Sequence, residues 1–397
     1  MEIKVKKLLI KLCCILLVMT IGGESAICNN TTYAADNINK SINETALLRV
    51  ENDNNTEVLD EMLSMLNVIC NDSMNDEYNY DYIKIGDYVS VYNADANSIF
   101  YIYPIFADDE CILTAQVGDD GNVCLSSDIS MYNSMCEELE SNSPYILYVD
   151  DGSYYAQDKY ETIELENIGF VKNEIESEFA DYSYSEKLEN IIDNVDSAIE
   201  LTEIPSKDSI LESVDVSEDN SDEVAGAVST TIGTSLLGKS IKTVKCNIGT
   251  FVLQGNYSLC WAASIATIVN YKKGGFLTAK SVADKMGIAY SAGGTLAQIK
   301  SAFSIYGLSY STTTSKLSWA QVKTNIVTDK PFCIWLNRTG GAHLITGYGY
   351  GCDSADIDSA LRVIYAWDSN NYKLFFGYNA TTITTSGNTY TWTKSIY

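Results

Sequence analysis

The stretch QGNYSLCWAASIATIVNYKKGG, residues 254–275, is the one on which the reading of the fold turns. Between Leu259 and Val269 it is apolar around most of its circumference, which predicts a helix buried on nearly every side. Ser258 stands where an N-cap is expected and Gly274 where a helix stops. Cys260 would then occupy the first turn, with Gln254 in the loop before it. Unpaired N–H groups and the macrodipole at a helix start favour a thiolate, the form a sulfur nucleophile needs. Gln254 could add an amide N–H₂ to the backbone N–H of Cys260 and so stabilise an acyl-transfer oxyanion. Taken alone, Cys-Trp at a helix start is more a sign of packing, because free cysteine behaves as a small hydrophobe.

The pattern around this helix is that of an α+β domain. Shorter helices are expected in TAKSVADKM after Thr278, in TLAQIKSAFSIYG ending at Gly307, and in SWAQVKTNIV, where Ser318 and Gln321 have capping-box spacing. Past Pro331 the text turns to strands: FCIWLN, AHLITGYGY, LRVIYAWDS, KLFFGYN and TYTWTKSIY. Helices first and strands second predict a helical half and a sheet half. Upstream, Thr56–Cys70 reads as a helix, and Tyr78 to about Leu165 as short Tyr-rich antiparallel strands. Helical patterns follow over Val171–Phe179 and Ser185–Leu201. Pro205–Thr234 is acidic, Ser-rich and aperiodic, as an exposed linker would be. The expected division is a signal peptide at 1–35, an acidic propeptide-like domain at 36–204, a linker with the processing region at 205–240, and the α+β domain at 241–397.

The net charge of −27 argues against nucleic acid as partner, because phosphate binding needs a basic footprint. That charge is divided: from Ser240 onward the chain carries +8 and before it −35, so the two parts should attract each other. At the N-terminus, four lysines precede an apolar run from Leu12 to Ile21 and small residues that end at Ala35. This is the layout of a secretory signal, and it predicts an exported protein without stable membrane association afterwards. Three of the 11 cysteines (Cys13, Cys14 and Cys28) would leave with the signal. The remainder could form disulfides, whose pairing the sequence does not reveal. They include no CxxC pair, and no metal site or organic cofactor is implied.

His343 is the single histidine in the chain, so no other imidazole can serve Cys260 as a base. It lies in RTGGAHLITGYGYG, where the glycines would let it face a cleft. A third group should orient the imidazole. Asp368, at the end of RVIYAW, is the favoured candidate, with Asn337 and Asn370 as alternatives. Asp353, Asp356 and Asp358 lie in a polar loop nearer in sequence.

These residues resemble the papain-like cysteine peptidases of clan CA. The family's Gln, five residues and Cys-Trp-small are matched by Gln254, Cys260, Trp261 and Ala262. Its His strand running into Gly-Tyr-Gly is matched by HLITGYGYG, with Leu344 where Ala is usual. The short Cys-to-His distance is similar to the compact bacterial branch, the staphopains and plant-pathogen effector peptidases. The resemblance covers about Cys246 to Tyr397. It implies Cys260 as nucleophile, His343 as base and acid, Asp368 as orienter in place of Asn, and Gln254 in the oxyanion hole. It also implies a papain-like catalytic domain preceded by a β-rich pro-domain that inhibits it intramolecularly, and the charge split adds the expectation that attraction helps hold the two together. Lys239, Lys242 and Lys245 are candidate processing points. YSLC replaces the family's GSC, which leaves the neighbouring family disulfide open.

The expected function is therefore a secreted cysteine endopeptidase made as a zymogen and acting on proteins or peptides. The same triad would serve a peptidoglycan amidase or a transglutaminase-like acyl transferase. A non-catalytic surface binding protein would instead leave Cys260 unreactive.

Overall fold

The computed structural model describes residues 46–50, 55–70, 83–94, 96, 98–107, 110–139, 145–150, 153–157, 162–165, 199–203, 228–234, 240–353 and 361–397. The signal-like segment 1–35 and most of the linker lie outside them. So do the helical patterns at Val171–Phe179 and Ser185–Leu201, except for 199–201, which are part of a strand. No helix among the described residues is long and apolar enough to cross a membrane.

The N-terminal module begins with β1 (Ala46–Val50) and α1 (Asn55–Cys70). Strands β2 (Ile83–Ile85), β3 (Val89–Asn93), β4 (Ser98–Ala107), β5 (Glu110–Val117) and β6 (Val123–Ser126) follow. After α2 (Ser130–Glu138) come β7 (Ile146–Asp150), β8 (Ser153–Gln157) and β9 (Thr162–Leu165). The chain then forms β10 (Ile199–Glu203), paired with β1, and β11 (Val228–Thr234), paired with β12 (Ser240–Cys246). Pairing in the module is antiparallel apart from β3 with β7. Helix α2 has no sequence signature beyond Asp128, whose Oδ1 accepts the Ser130 N–H at 3.0 Å, and it was not expected.

Among its described residues the C-terminal domain has four helices: α3 (Cys260–Lys273), α4 (Ala279–Met286), α5 (Leu296–Ile305) and α6 (Trp319–Val327). Its remaining strands are β13 (Thr312–Thr313), β14 (Phe332–Arg338), β15 (Gly341–Asp353), β16 (Arg362–Asp368), β17 (Tyr372–Gly377), β18 (Ile383–Thr385) and β19 (Asn388–Ile396). The architecture is α+β.

Helices α4, α5 and α6 each begin with a capping box, at Thr278–Ser281, Thr295–Gln298 and Ser318–Gln321. Each box satisfies two otherwise unpaired donors. Helix α3 ends at Gly274 in the left-handed region, as expected. Its start differs from the expectation. The N-cap is Leu259, not Ser258, and no side chain caps it. The Ser258 N–H is drawn away to the Tyr290 carbonyl at 3.0 Å. The first-turn N–H groups thus keep their electrostatic pull for what lies beside Cys260.

Strand β15 organises the sheet. Its first half pairs with β14 and its second half with β12, while β16 runs along it past an irregularity at 347–349. The glycines of GYGYG allow close approaches on both faces, because the irregularity at 347–349 turns Gly347 toward Phe332 and Gly349 and Gly351 toward Tyr365 and Val68. A methyl on Gly347 would lie 2.6 Å from the Phe332 ring, and one on Gly351 would lie 2.1 Å from Val68 Cγ1 of α1.

That last contact belongs to a core shared by both halves of the chain. Val58, Met62, Met65, Val68 and Ile69 of α1 pack with Ile241, Tyr348, Val363, Tyr365, Trp367 and Phe375 of the C-terminal domain. Strand β6 also pairs antiparallel with β17, with Phe375 opposite Leu125. Burying side chains of this size stabilises by about 1.5–3 kcal/mol each, so this junction is worth on the order of 10 kcal/mol. Two expectations change. Val228–Thr234, read as linker, is a strand of the C-terminal sheet, because it completes an antiparallel hairpin with β12. Lys242 and Lys245, read as processing points, lie within β12 between two neighbouring strands, where a protease cannot take up the backbone. Lys239 lies outside the described residues.

Candidate active site

Helix α3 is wedged between the small helices and the sheet, with Trp261, Ile265 and Ile268 fully buried. Trp261 is clamped in place. Its indole N–H donates to the Ala292 carbonyl at 3.3 Å, and a methyl on Gly294 would lie 2.7 Å from the ring. On the sheet side, the Ser264 hydroxyl donates to the Leu344 carbonyl at 3.3 Å, which ties α3 to β15 one residue past His343. These restraints leave Cys260 half-buried at the helix start.

Among the described residues Cys260 has seven other thiols for comparison, all of them free. Burial pushes Cys70 and Cys111 up to about 12 and Cys136 up to about 11. It also raises Cys124, Cys246, Cys333 and Cys352. Thiols held protonated in apolar surroundings are inert. Among the described residues no disulfide flanks Cys260. Where the resemblance left one open, Tyr257 and Tyr290 pack edge to face at 5.3 Å.

The hairpin of β14 and β15 brings His343 opposite Leu336, with its side chain 13% exposed. Asp368 ends β16 and is wholly buried. His343 Nε2 lies 2.7 Å from Asp368 Oδ2, which leaves Nδ1 for the Cys260 sulfur. Burial alone would push the imidazole toward its neutral form. The Asp368 carboxylate, and after it a hydrogen bond and charge from Cys260, outweigh burial and hold His343 well above the ordinary histidine range.

Asp368 is itself held by three donors. Oδ1 accepts the Asn370 N–H at 3.0 Å, and Oδ2 accepts the Tyr372 hydroxyl at 3.1 Å besides the imidazole. The Tyr372 hydroxyl in turn lies 2.7 Å from Ser386 Oγ. Gln254 is anchored across the cleft. Its backbone N–H donates to the Ser369 carbonyl at 3.0 Å, and its Oε1 accepts the Ser369 hydroxyl at 2.9 Å. With the amide oxygen occupied, the N–H₂ end remains to meet an oxyanion.

The structure therefore brings Cys260, His343, Asp368 and Gln254 together. Asn337 is not among them, because its Oδ1 accepts the Trp335 indole N–H at 2.9 Å. Asn370 enters through its backbone N–H. Asp353 is buried at the far end of β15, opposite Ile241, and Asp356 and Asp358 lie outside the described residues. Ser369, Tyr372 and Ser386 were not singled out from sequence. Ser369 and Tyr372 flank the turn after Asp368 in WDSNNY, which was their one available signal. Among the described residues no group of three or more His, Cys, Asp or Glu could hold a metal ion.

The Asp368 contact has a pH signature. Asp368→Asn keeps a hydrogen-bonding group but removes the charge that raises His343, while the effect of burial remains. The histidine should then lose its proton at lower pH, and the alkaline limb of Cys260 alkylation should move down by at least one pH unit, roughly the effect of one lost ion pair. Iodoacetamide inactivation rates measured from pH 5 to 10 would check this.

No curated protein matches the chain. Residues 243–373 match the family model described as papain-like cysteine protease AvrRpt2. That span includes Cys260, His343 and Asp368, and the C-terminal domain is that of a papain-like cysteine peptidase, a hydrolase acting on peptide bonds.

Proposed function

We propose that the protein is a secreted cysteine endopeptidase made as a zymogen, in which Cys260, His343 and Asp368 act as the triad and Gln254 as the oxyanion donor. The single observation that carries this reading is the contact set of the only histidine: Asp368 at 2.7 Å on Nε2 and Cys260 as its other partner. In the proposed sequence His343 takes the Cys260 proton and Asp368 holds the imidazolium. The sulfur attacks the peptide carbonyl. The oxyanion accepts hydrogen bonds from the Cys260 N–H and the Gln254 amide. The imidazolium then protonates the leaving amine, which leaves a thioester. Water, deprotonated by His343, releases the acyl group. Metal and organic cofactors play no part in these steps.

Export is supported by the lysine-then-apolar pattern of residues 1–35. The zymogen reading is supported by the −35 module joined to a +8 domain through an acidic linker, with processing at 205–227 or at Lys239. The likeness to staphopains rests on the motif spacing around Gln254, Cys260 and His343.

Alkylation of the processed protein with iodoacetamide, followed by peptide mapping, tests the nucleophile. Label should accumulate at Cys260, since burial raises the other seven described thiols. Label spread evenly over several cysteines would sink the enzyme reading. Parallel digestion of casein and of purified cell wall tests the substrate class, and casein should be the one cleaved.

A further inference from the structure

Residues 55–165 of the N-terminal module meet the catalytic domain in a way that a detachable segment does not. Tyr365, Phe375 and Phe376 are essentially unexposed, and the first two are covered in part by α1. The Tyr365 hydroxyl donates to the Val68 carbonyl at 3.2 Å inside this core. Without β6, strand β17 would be a bare edge with an apolar face. The same strand begins with Tyr372, the donor to Asp368.

A second set of contacts grips the turn between β18 and β19. Asn93, itself buried, donates from Nδ2 to the Gly387 carbonyl at 2.5 Å. Gly387 has φ +69° and presses on Val149, where a Cβ would fall 2.8 Å from Cγ2. Thr382 donates to Asp120 Oδ2 at 2.6 Å, beside the same hairpin. The neighbouring Ser386 has φ +46°, a conformation a serine holds only when its surroundings over-determine it. Its hydroxyl meets Tyr372, and Tyr372 meets Asp368. The module thus reaches the back of the active site through Gly387, Ser386 and Tyr372, while Cys260 on the opposite side remains half-open.

We propose that the N-terminal module is a permanent part of the catalytic unit: it stays bound after the chain is cut in the linker, and it positions Asp368 through the β18–β19 turn. This rests on the peptidase reading for its consequence, but not for its test. In that reading, processing relieves inhibition without shedding the module, and the mature enzyme has two chains. Asn93, Ser386 and Tyr372 are positioning residues.

The first experiment places a specific protease site near residue 216 of the full chain, cuts it to completion, and runs size exclusion in high salt without denaturant. The two fragments should co-elute as a one-to-one pair. Their separation, with the C-terminal fragment alone still labelled at Cys260 at the uncut rate, would overturn the proposal. The second experiment uses Asn93→Ala and Tyr372→Phe in the intact chain. Misplacing a reacting group slightly is costly, so each should lower kcat about 10-fold and leave KM near its starting value. Because the chain has one histidine, its low-field ring N–H signal by proton NMR is unambiguous, and both substitutions should shift or broaden it. An Asn93→Ala protein with unchanged kcat and an unchanged His343 signal would refute the positioning role. Co-elution and the NMR signal do not depend on any substrate, so a failed peptidase assay leaves both readouts intact.

Discussion

Cys260→Ala should lower kcat/KM on casein by roughly 10⁴–10⁶-fold, the scale seen when a covalent nucleophile is deleted. His343→Ala should cost about as much, because the two act as one unit, and the double variant should be hardly worse than either single one. The argument is one of supply. There is no second imidazole in the chain, and burial raises every other described thiol. The fold should survive, since Cys260 is half-buried and the helix it opens is held by Trp261, Ile265 and Ile268. The check is steady-state kinetics alongside a thermal melt. Retained activity in Cys260→Ala would remove the nucleophile assignment, whatever the melt shows.

Gln254→Ala should reduce kcat by about 10²–10³-fold with KM little changed, the usual consequence of removing one oxyanion donor. The loss should fall on kcat because the amide meets charge that develops only as the tetrahedral intermediate forms. Ser369→Ala should reproduce part of this loss at a distance. It frees the Gln254 oxygen that now accepts the serine hydroxyl at 2.9 Å, so the amide can turn its wrong end to the cleft. Gln254→Glu tests the sign: a carboxylate facing an oxyanion should be worse than alanine. A fall confined to KM in Gln254→Ala would place the residue in substrate binding instead.

Much of the C-terminal domain was legible because its signals are local. An apolar run covering most of the circumference marked helix α3, Gly274 marked its end, and Ser318 with Gln321 marked the start of α6. The alternating strands after Pro331 were read in the right places. The start of α3 was misread for a tertiary reason: Ser258 has the right side chain, but its backbone N–H is bonded to Tyr290 and Leu259 takes the cap position. Strands β11 and β12 escaped because a strand of mixed polarity between stronger neighbours carries no alternation to detect. The contacts of the acidic module were out of reach for the same kind of reason. Its charge is visible residue by residue, whereas the core of α1 against Tyr365 and Phe375 joins residues about 300 positions apart.

What the sequence by itself determined is the chemistry available: one histidine, one cysteine at the head of an apolar helix, one glutamine six residues before it, and two halves of opposite charge. Those are facts of composition and short spacing, and they hold in any fold. Only the tertiary structure decided which of the acids and amides touches His343, because contact depends on which strand ends meet. Asp368 and His343 are 25 residues apart and touch solely because β15 and β16 pair in one register. The contacts of Ser369 with Gln254 and of Tyr372 with Ser386 are likewise made in three dimensions, and a linear pattern has no period for them.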